Sequence, residues 1–186
     1  AMIINKTPEI TVLDNNITIA TDRIESVESV SVGAWFGVGT RNETKAQNGL
    51  AHLLEHMLFK GTQRRSAKEI AEEIEFVGGY LNAYTSREQT AFFARTLLDD
   101  VVLATDILSD ILQNSLFDEA ELERERNVVL QEIGQAIDTP DDIIFDHFQQ
   151  RAYPDQAIGR PVLGQPGVVS ELTRHDIAGF VSENYT

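Results

Sequence analysis

The sequence predicts an α+β fold: an antiparallel sheet with helices packed on one face. Three observations predict it. The first forty residues alternate apolar and polar side chains as strands do, a second strand-like stretch from Tyr80 to Leu97 follows two short helical segments, and almost everything after Asp99 is helical in texture. Strands, a helix pair, a hairpin and then helices is the order expected of an α+β chain rather than of alternating parallel βα units.

Each element has its own signal. Ile10 and Val12 lead into a turn at Asp14-Asn15-Asn16, and Ile17 and Ile19 follow. Asn tolerates the left-handed backbone of such a turn, though less easily than Gly. Val30, Val32, Ala34, Phe36 and Val38 alternate with Ser31, Gly33, Trp35, Gly37 and Gly39 in a third strand, whose glycines predict another backbone close by. Asn48-Gly49 precedes a helix over about Leu50 to Phe59, and Lys60-Gly61-Thr62 ends it. Ser66 with Glu69 reads as a capping box opening a helix to about Phe76, which Gly78-Gly79 breaks. Tyr80 to Ser86 and Thr90 to Leu97 form a hairpin. Asp118 with Glu121 caps a long helix to about Ile137, Thr139-Pro140 with Asp142 starts another, and Thr173 with Asp176 caps the last. Between these, residues 151–168 are loop-like and rich in Pro and Gly.

Composition narrows the function. The 186 residues suit one domain and include 15 Lys and Arg against 30 Asp and Glu, a net charge of −15. That acidity excludes nucleic acid, whose phosphates need clustered cations, and an anionic membrane surface, while it permits a basic peptide. With no cysteine, disulfides, thiolate zinc sites and a Cys nucleophile are excluded. No run approaches the ~18 apolar residues of a membrane span. Ala1 ahead of Met2 reads as a cloning remnant, and Ala1 to Lys6 lacks a signal-peptide pattern. The expected compartment is therefore the bacterial cytoplasm.

The informative segment is His52-Leu53-Leu54-Glu55-His56. At about 100° per residue, His56 falls about 40° from His52 on one side and Glu55 about 60° on the other. The three polar groups share one helix face, and Leu53, Leu54, Met57 and Leu58 take the other. Two imidazoles one turn apart can grip one Zn²⁺, with the carboxylate beside them placed to take a proton from a water on the metal. A surface helix that happens to carry two His and one Glu is the bland alternative. Two of only four histidines, with Glu in the required place, favour the metal.

A catalytic zinc takes a third protein ligand. His147 and His175 lie on later helical segments without a paired partner. In the helix Glu119 to Ile137, with Val129 at the centre of the apolar stripe, Glu125 and Glu132 both fall about 40–60° to one side, two turns apart. Carboxylates beside a buried face need a partner, which a metal and its surroundings would supply. Geometry alone leaves the two equal.

His52-Leu53-Leu54-Glu55-His56-Met57-Leu58-Phe59-Lys60-Gly61-Thr62 resembles the signature of the M16 metallopeptidases, the pitrilysin, insulin-degrading and mitochondrial-processing-peptidase group. Gly78-Gly79-Tyr80-Leu81-Asn82-Ala83-Tyr84-Thr85 resembles the strand beside that family's active site. Glu125-Arg126-Asn127-Val128-Val129-Leu130-Gln131-Glu132-Ile133 resembles its distal-ligand helix, and Leu163-Gly164 after Gly159-Arg160-Pro161 a further loop. The likeness runs from about Ile10 to the end and is greatest to the processing-protease branch with its bacterial members. Asn15-Asn16 departs from the more usual Asn-Gly, which touches only turn geometry.

The resemblance implies the M16 or LuxS-like half-domain fold, one Zn²⁺ per chain, and the roles of individual residues. His52, His56 and Glu132 match the metal ligands, Glu55 the general base and Glu125 a carboxylate behind the ligands. Asn82, Ala83 and Tyr84 match the strand that pairs with substrate, and Phe59 a pocket beside the cleaved bond. The implied reaction is zinc-assisted peptide hydrolysis of extended peptides or unfolded polypeptides. Because such enzymes close a cleft between related halves, residues 1–186 are expected to be an N-terminal half-domain that needs a second half or a partner subunit. The rival reading is a non-catalytic or substrate-binding subunit; the intact His52, Glu55, His56 and Glu132 set weighs against it.

Overall fold

The computed structural model describes residues 7–185; the expectations for Ala1 to Lys6 lie outside them. Two short strands, β1 (Glu9–Val12) and β2 (Thr18–Thr21), pair antiparallel in a sheet of their own. Their turn puts Asn16 at φ 67°, the left-handed conformation anticipated for an Asn there. The hairpin contributes nothing to the core: Ile10, Val12, Ile17 and Ile19 are all exposed.

The main sheet has three antiparallel strands in the order β3-β5-β4, with β3 at Ser29–Phe36, β4 at Tyr80–Thr85 and β5 at Thr90–Leu97. Period-2 alternation sorts its faces. Val32 faces Ala94 and Ala34 faces Phe92 across β3 and β5, while Leu81 and Ala83 oppose the same two residues from β4. This inner face meets the helices, with Phe92 and Ala94 fully buried. The outer face carries Trp35, Tyr80 and Tyr84, all exposed.

β3 is shorter than the alternation predicts. It ends at Phe36, and Val38 turns inward as its carbonyl accepts from Thr90 Oγ1 at 2.9 Å. A side chain at Gly33 would strike the β5 backbone at Phe92, as the glycines of this strand predict, but Gly37 has open space around it.

The helices are α1 (Leu50–Leu58), α2 (Ala67–Phe76), α3 (Val101–Asn114), α4 (Glu119–Ile137), α5 (Pro140–Ala152), α6 (Pro166–Val169) and α7 (Arg174–Asn184). Their starts follow the sequence signals in part. Ser66 and Glu69 close a capping box on α2, and Thr173 and Asp176 close another on α7. Asp118 caps α4 alone, accepting from Ala120 and Glu121 N–H, because the Glu121 side chain pairs with Arg124 instead. α5 begins on Pro140 with no side-chain cap. The loop-like stretch 151–168 holds a single 3-10 turn at Ala157–Gly159 and the start of the short helix α6 among its described residues.

Helix α1 lies at the centre of the core. Leu50, Ala51, Leu53, Leu54 and Met57 are fully buried, and α1 touches β4, α4 and α7. Burying a Leu side chain stabilises a fold by roughly 1.5–3 kcal/mol, so this apolar face fixes where the opposite, polar face must point. Behind α1, Arg65 ties the chain to α3: its guanidinium meets Asp110 at 3.0 Å, Asp106 at 2.7 Å and Glu73 at 2.9 Å. Among the described residues no helix is long and apolar enough to cross a membrane.

Candidate functional site

The polar face of α1 looks toward α4. His52 Nε2 and His56 Nε2 each lie 3.6 Å from the same atom, Glu132 Oε2. The two imidazole rings stand edge to face with centroids 4.8 Å apart. These three are the one group of His and acidic residues among the described residues whose donor atoms converge as metal ligands do, all within 4.8 Å of one another. His147 and His175 are exposed and stand apart from that group.

The spacing fits a zinc ion. Bonds of ~2.0–2.2 Å to a tetrahedral ion hold their donor atoms about 3.3–3.6 Å apart, whereas a hydrogen bond would draw nitrogen and oxygen to about 2.9 Å. The chemistry fits as well. Burial, and then the nearness of His56, push the His52 imidazole down to about 4, so near neutral pH it is uncharged and its nitrogen lone pair is available. Two imidazoles and a carboxylate suit Zn²⁺.

Glu55 lies on α1 between the two histidines, and one of its buried carboxylate oxygens has no hydrogen-bond partner. Burial pushes its carboxyl up and the charge of Glu132 adds to that, while a hydrogen bond from Thr85 and the charge of His56 pull it back. A carboxylate raised toward neutrality is a better proton acceptor that can also give the proton away.

The tie between the two α4 carboxylates is broken by their surroundings. Glu132, with a half-exposed side chain, faces both histidines; Glu125 is buried one layer behind. Its Oε2 sits 3.0 Å from His56 Nδ1 and its Oε1 2.7 Å from Lys60 Nζ. Burial would raise the Glu125 carboxyl, yet the hydrogen bonds from Lys60 and His56 outweigh it and hold it below the usual range. An ionised Glu125 accepts the proton on His56 Nδ1 and leaves Nε2 free to coordinate.

The residues matched to a substrate strand are split by the pleat. Asn82 and Tyr84 are exposed on the outer face and Ala83 is buried inward. β4 is an edge strand, with β5 on one side only. Asn82 Oδ1 accepts from the Ala83 N–H at 2.9 Å, and Tyr84 Oη accepts from Gln89 Nε2 at 2.8 Å. Phe59 follows α1 directly and turns toward the core, its ring 6.2 Å from that of Phe92.

Two residues at the site carry no role in the sequence reading. Lys60 is one turn beyond His56, and that i+4 spacing was a usable signal. Glu43 is buried below the start of α1, accepting from Gly49 N–H at 3.0 Å and Ala51 N–H at 2.7 Å. Its signal was indirect: α1 begins after Gly49, which has no side chain to cap with.

Known proteins resemble this chain over most of its length. The model of the insulinase family, peptidase family M16, matches residues 18–166. The chain is 44% identical over 173 residues to a mitochondrial-processing peptidase subunit beta of Saccharomyces cerevisiae, covering 93% of this chain and 37% of that one. It is 42% identical over 173 residues to an uncharacterized zinc protease of Rickettsia felis, covering 93% of this chain and 42% of the other. A crystal structure of a protease from Helicobacter pylori superposes with a TM-score of 0.92 at 26% identity, over 96% of this chain and 44% of that one. The chain thus spans about two fifths of the length of these relatives. By the extent of the family match and the identity to its members, the chain belongs to the insulinase family of peptidases, family M16.

Proposed function

We propose that the chain is the metal-bearing N-terminal half-domain of a zinc endopeptidase, with His52, His56 and Glu132 as ligands and Glu55 as general base. The observation that carries this reading is the placement of Glu132 Oε2 at 3.6 Å from both imidazole nitrogens, a ligand spacing rather than a hydrogen bond. Bound Zn²⁺ supplies Lewis acidity, polarising the scissile carbonyl and making a water acidic enough to attack near neutral pH. The chain's own groups do the rest. Glu55 takes the proton of the attacking water and delivers it to the leaving amine nitrogen. Glu125 keeps the His56 proton on Nδ1, and Lys60 keeps Glu125 ionised.

The free edge of β4 supports an extended peptide as substrate, added as a further strand along Asn82, Ala83 and Tyr84. Such a peptide competes with Asn82 Oδ1 for the Ala83 N–H. Main-chain pairing reads extended shape more than sequence. Phe59, at the end of the metal helix, is the aromatic nearest in sequence to the ligands and would border the residue next to the cleaved bond.

Since the relatives are more than twice as long, the cleft closes in this reading against a second half or a partner subunit, and the 186-residue chain alone binds zinc while cleaving peptides weakly. The test uses the chain extended to the length of its relatives, beside its Glu55→Gln variant. Bound zinc in both and chelator-sensitive peptide hydrolysis in the unsubstituted protein alone is the expected result. Equal hydrolysis by the variant removes Glu55 from the base role; zinc without hydrolysis in either protein favours the non-catalytic subunit.

A further inference from the structure

The residue that sets the position of the metal helix lies outside the metal site. α1 is nine residues long, about two and a half turns, and carries both histidines and Glu55. The first N–H groups of a helix have no partner within it and are usually met by a Ser, Thr, Asp or Asn at the cap. Here the cap position is Gly49, at φ 103°, with no side chain to offer. Its place is fixed by packing: a Cβ on Gly49 would approach Leu163 O at 2.9 Å and Val169 Cγ2 at 2.7 Å.

The missing cap comes from six residues upstream. Glu43 Oε1 accepts from Ala51 N–H at 2.7 Å, and Oε2 accepts from Gly49 N–H at 3.0 Å and Asn48 Nδ2 at 3.1 Å. Asn48 Nδ2 also donates to Pro161 O at 3.0 Å, and Arg160 donates to the Glu43 carbonyl. One buried carboxylate thus joins the start of α1 to the 160–164 loop. The Ala51 amide it holds immediately precedes His52, so any shift of this end is felt first at a ligand. A buried carboxylate is a costly way to cap a helix when a neutral group would do. Burial indeed pushes the Glu43 carboxyl up to about 7 against the pull of its hydrogen bonds and of Arg160. When ionised, the carboxylate is a strong, two-point anchor at the positive end of the helix dipole.

We infer that Glu43 is a positioning residue for the metal centre, holding α1 at the height and rotation that bring His52 and His56 onto Glu132. The inference rests on the reading of His52, His56 and Glu132 as zinc ligands. Asn48, Gly49 and Gly164 complete the seat, Gly164 because its Cα passes so close to Gly49 that a side chain there has no room.

The test measures Zn²⁺ affinity by competition with a chromophoric chelator, and the Co²⁺ absorption spectrum as a report on ligand geometry. It compares the unsubstituted chain with Glu43→Gln, Glu43→Asp and Ser66→Ala. Glu43→Gln preserves volume but turns an amide NH₂ toward N–H donors; Ser66→Ala removes the side-chain cap of α2, away from the metal. The expected result is a Zn²⁺ affinity at least about tenfold weaker and an altered Co²⁺ spectrum for both Glu43 variants, with Ser66→Ala unchanged in both. If Glu43→Gln does not fold, Glu43→Asp, which keeps the charge, is read in its place. Folded Glu43 variants with unaltered affinity and spectrum overturn the inference, as does a Ser66→Ala loss of equal size, which would make the effect one of stability alone. A Glu132→Gln chain that binds Zn²⁺ as tightly as the unsubstituted one overturns the ligand reading itself, a distinguishable outcome.

Discussion

Glu125 joins His56 to Lys60: one carboxylate oxygen lies 3.0 Å from the imidazole Nδ1 and the other 2.7 Å from the ammonium. His56 is thereby tied to the end of its own helix through a residue on another. Glu125→Gln removes the charge that faces Lys60, and Glu125→Ala leaves Lys60 and the Nδ1 proton without an acceptor. Loss of such a supporting group typically weakens metal binding 10–100-fold, and that is the expected fall in Zn²⁺ affinity for each variant. Competition titration against a chelator reads it directly. An affinity within twofold of the unsubstituted chain would reduce Glu125 to packing.

The ion-pair cluster behind α1 gives the fold an acid limit. Hydrogen bonds from Arg64 and then Arg65 lower the Asp106 carboxyl to about 2, from an ordinary 3.8. A depressed carboxyl stabilises the folded chain fully above its unfolded value, so this contribution is intact above about pH 4 and disappears as pH falls through 2. Asp106→Asn should therefore lower stability at pH 5 and converge with the unsubstituted chain near pH 2. Both Arg64 and Asp106 are well exposed, so the difference is expected to be small and to shrink in salt. Denaturant midpoints at the two pH values check it; a gap that persists at pH 2 would point to something other than charge.

Gly164 should not tolerate a side chain. It sits at φ 89°, and an added Cβ would lie 2.5 Å from Asn48 O and 2.5 Å from Gly49 Cα. Backbone cannot swing aside as a side chain does, so Gly164→Ala is expected to destabilise by about 1–3 kcal/mol. Gly167→Ala, three residues on and in open space, is the matched control and should be near neutral. Urea unfolding of the pair separates the two.

Phe92 couples the sheet to the end of α1. It is fully buried, in edge contact with Phe36 at 6.3 Å and beside Phe59 at 6.2 Å. Phe92→Ala should lower stability by about 3–5 kcal/mol through the cavity it leaves. Because Phe59 loses its neighbour, its environment should change as well, visible as altered aromatic resonances in the folded variant. A loss under 1 kcal/mol would mean that the sheet closes over the gap.

Much of this was legible in the sequence, for identifiable reasons. α1 could be read because Leu53, Leu54, Met57 and Leu58 separate cleanly from His52, Glu55 and His56 at helical spacing. Ser66–Glu69 and Thr173–Asp176 could be read because a capping box is local, both partners lying within one turn. What is long-range could not. Periodicity placed Glu125 and Glu132 on the same edge of α4, and the resemblance, not the spacing, matched Glu132 to the ligand; in the fold the height of α1 against α4 sets Glu132 against His52 and His56 Nε2 and Glu125 behind them. Glu43 escaped for a related reason, since a cap borrowed from a preceding turn has no fixed spacing. The end of β3 was overrun because Val38 continues the alternation while its carbonyl is already taken by Thr90.

The strand order β3-β5-β4 has a kinetic corollary. Both outer strands have an open rim among the described residues, and β4 packs on α1, with Thr85 reaching the Ala51 carbonyl. At ~4.8 Å per strand, the β3 rim lies about 10 Å across the sheet from the β4 rim. A peptide paired along β4 would be within reach of Glu55, and one paired along β3 would be held out of register with every reacting atom. In the peptidase reading the second rim would then be a decoy, occupied unproductively as peptide concentration rises. In the peptidase reading, a side chain or segment that covers β3 would relieve inhibition at high peptide concentration while leaving Glu55 untouched.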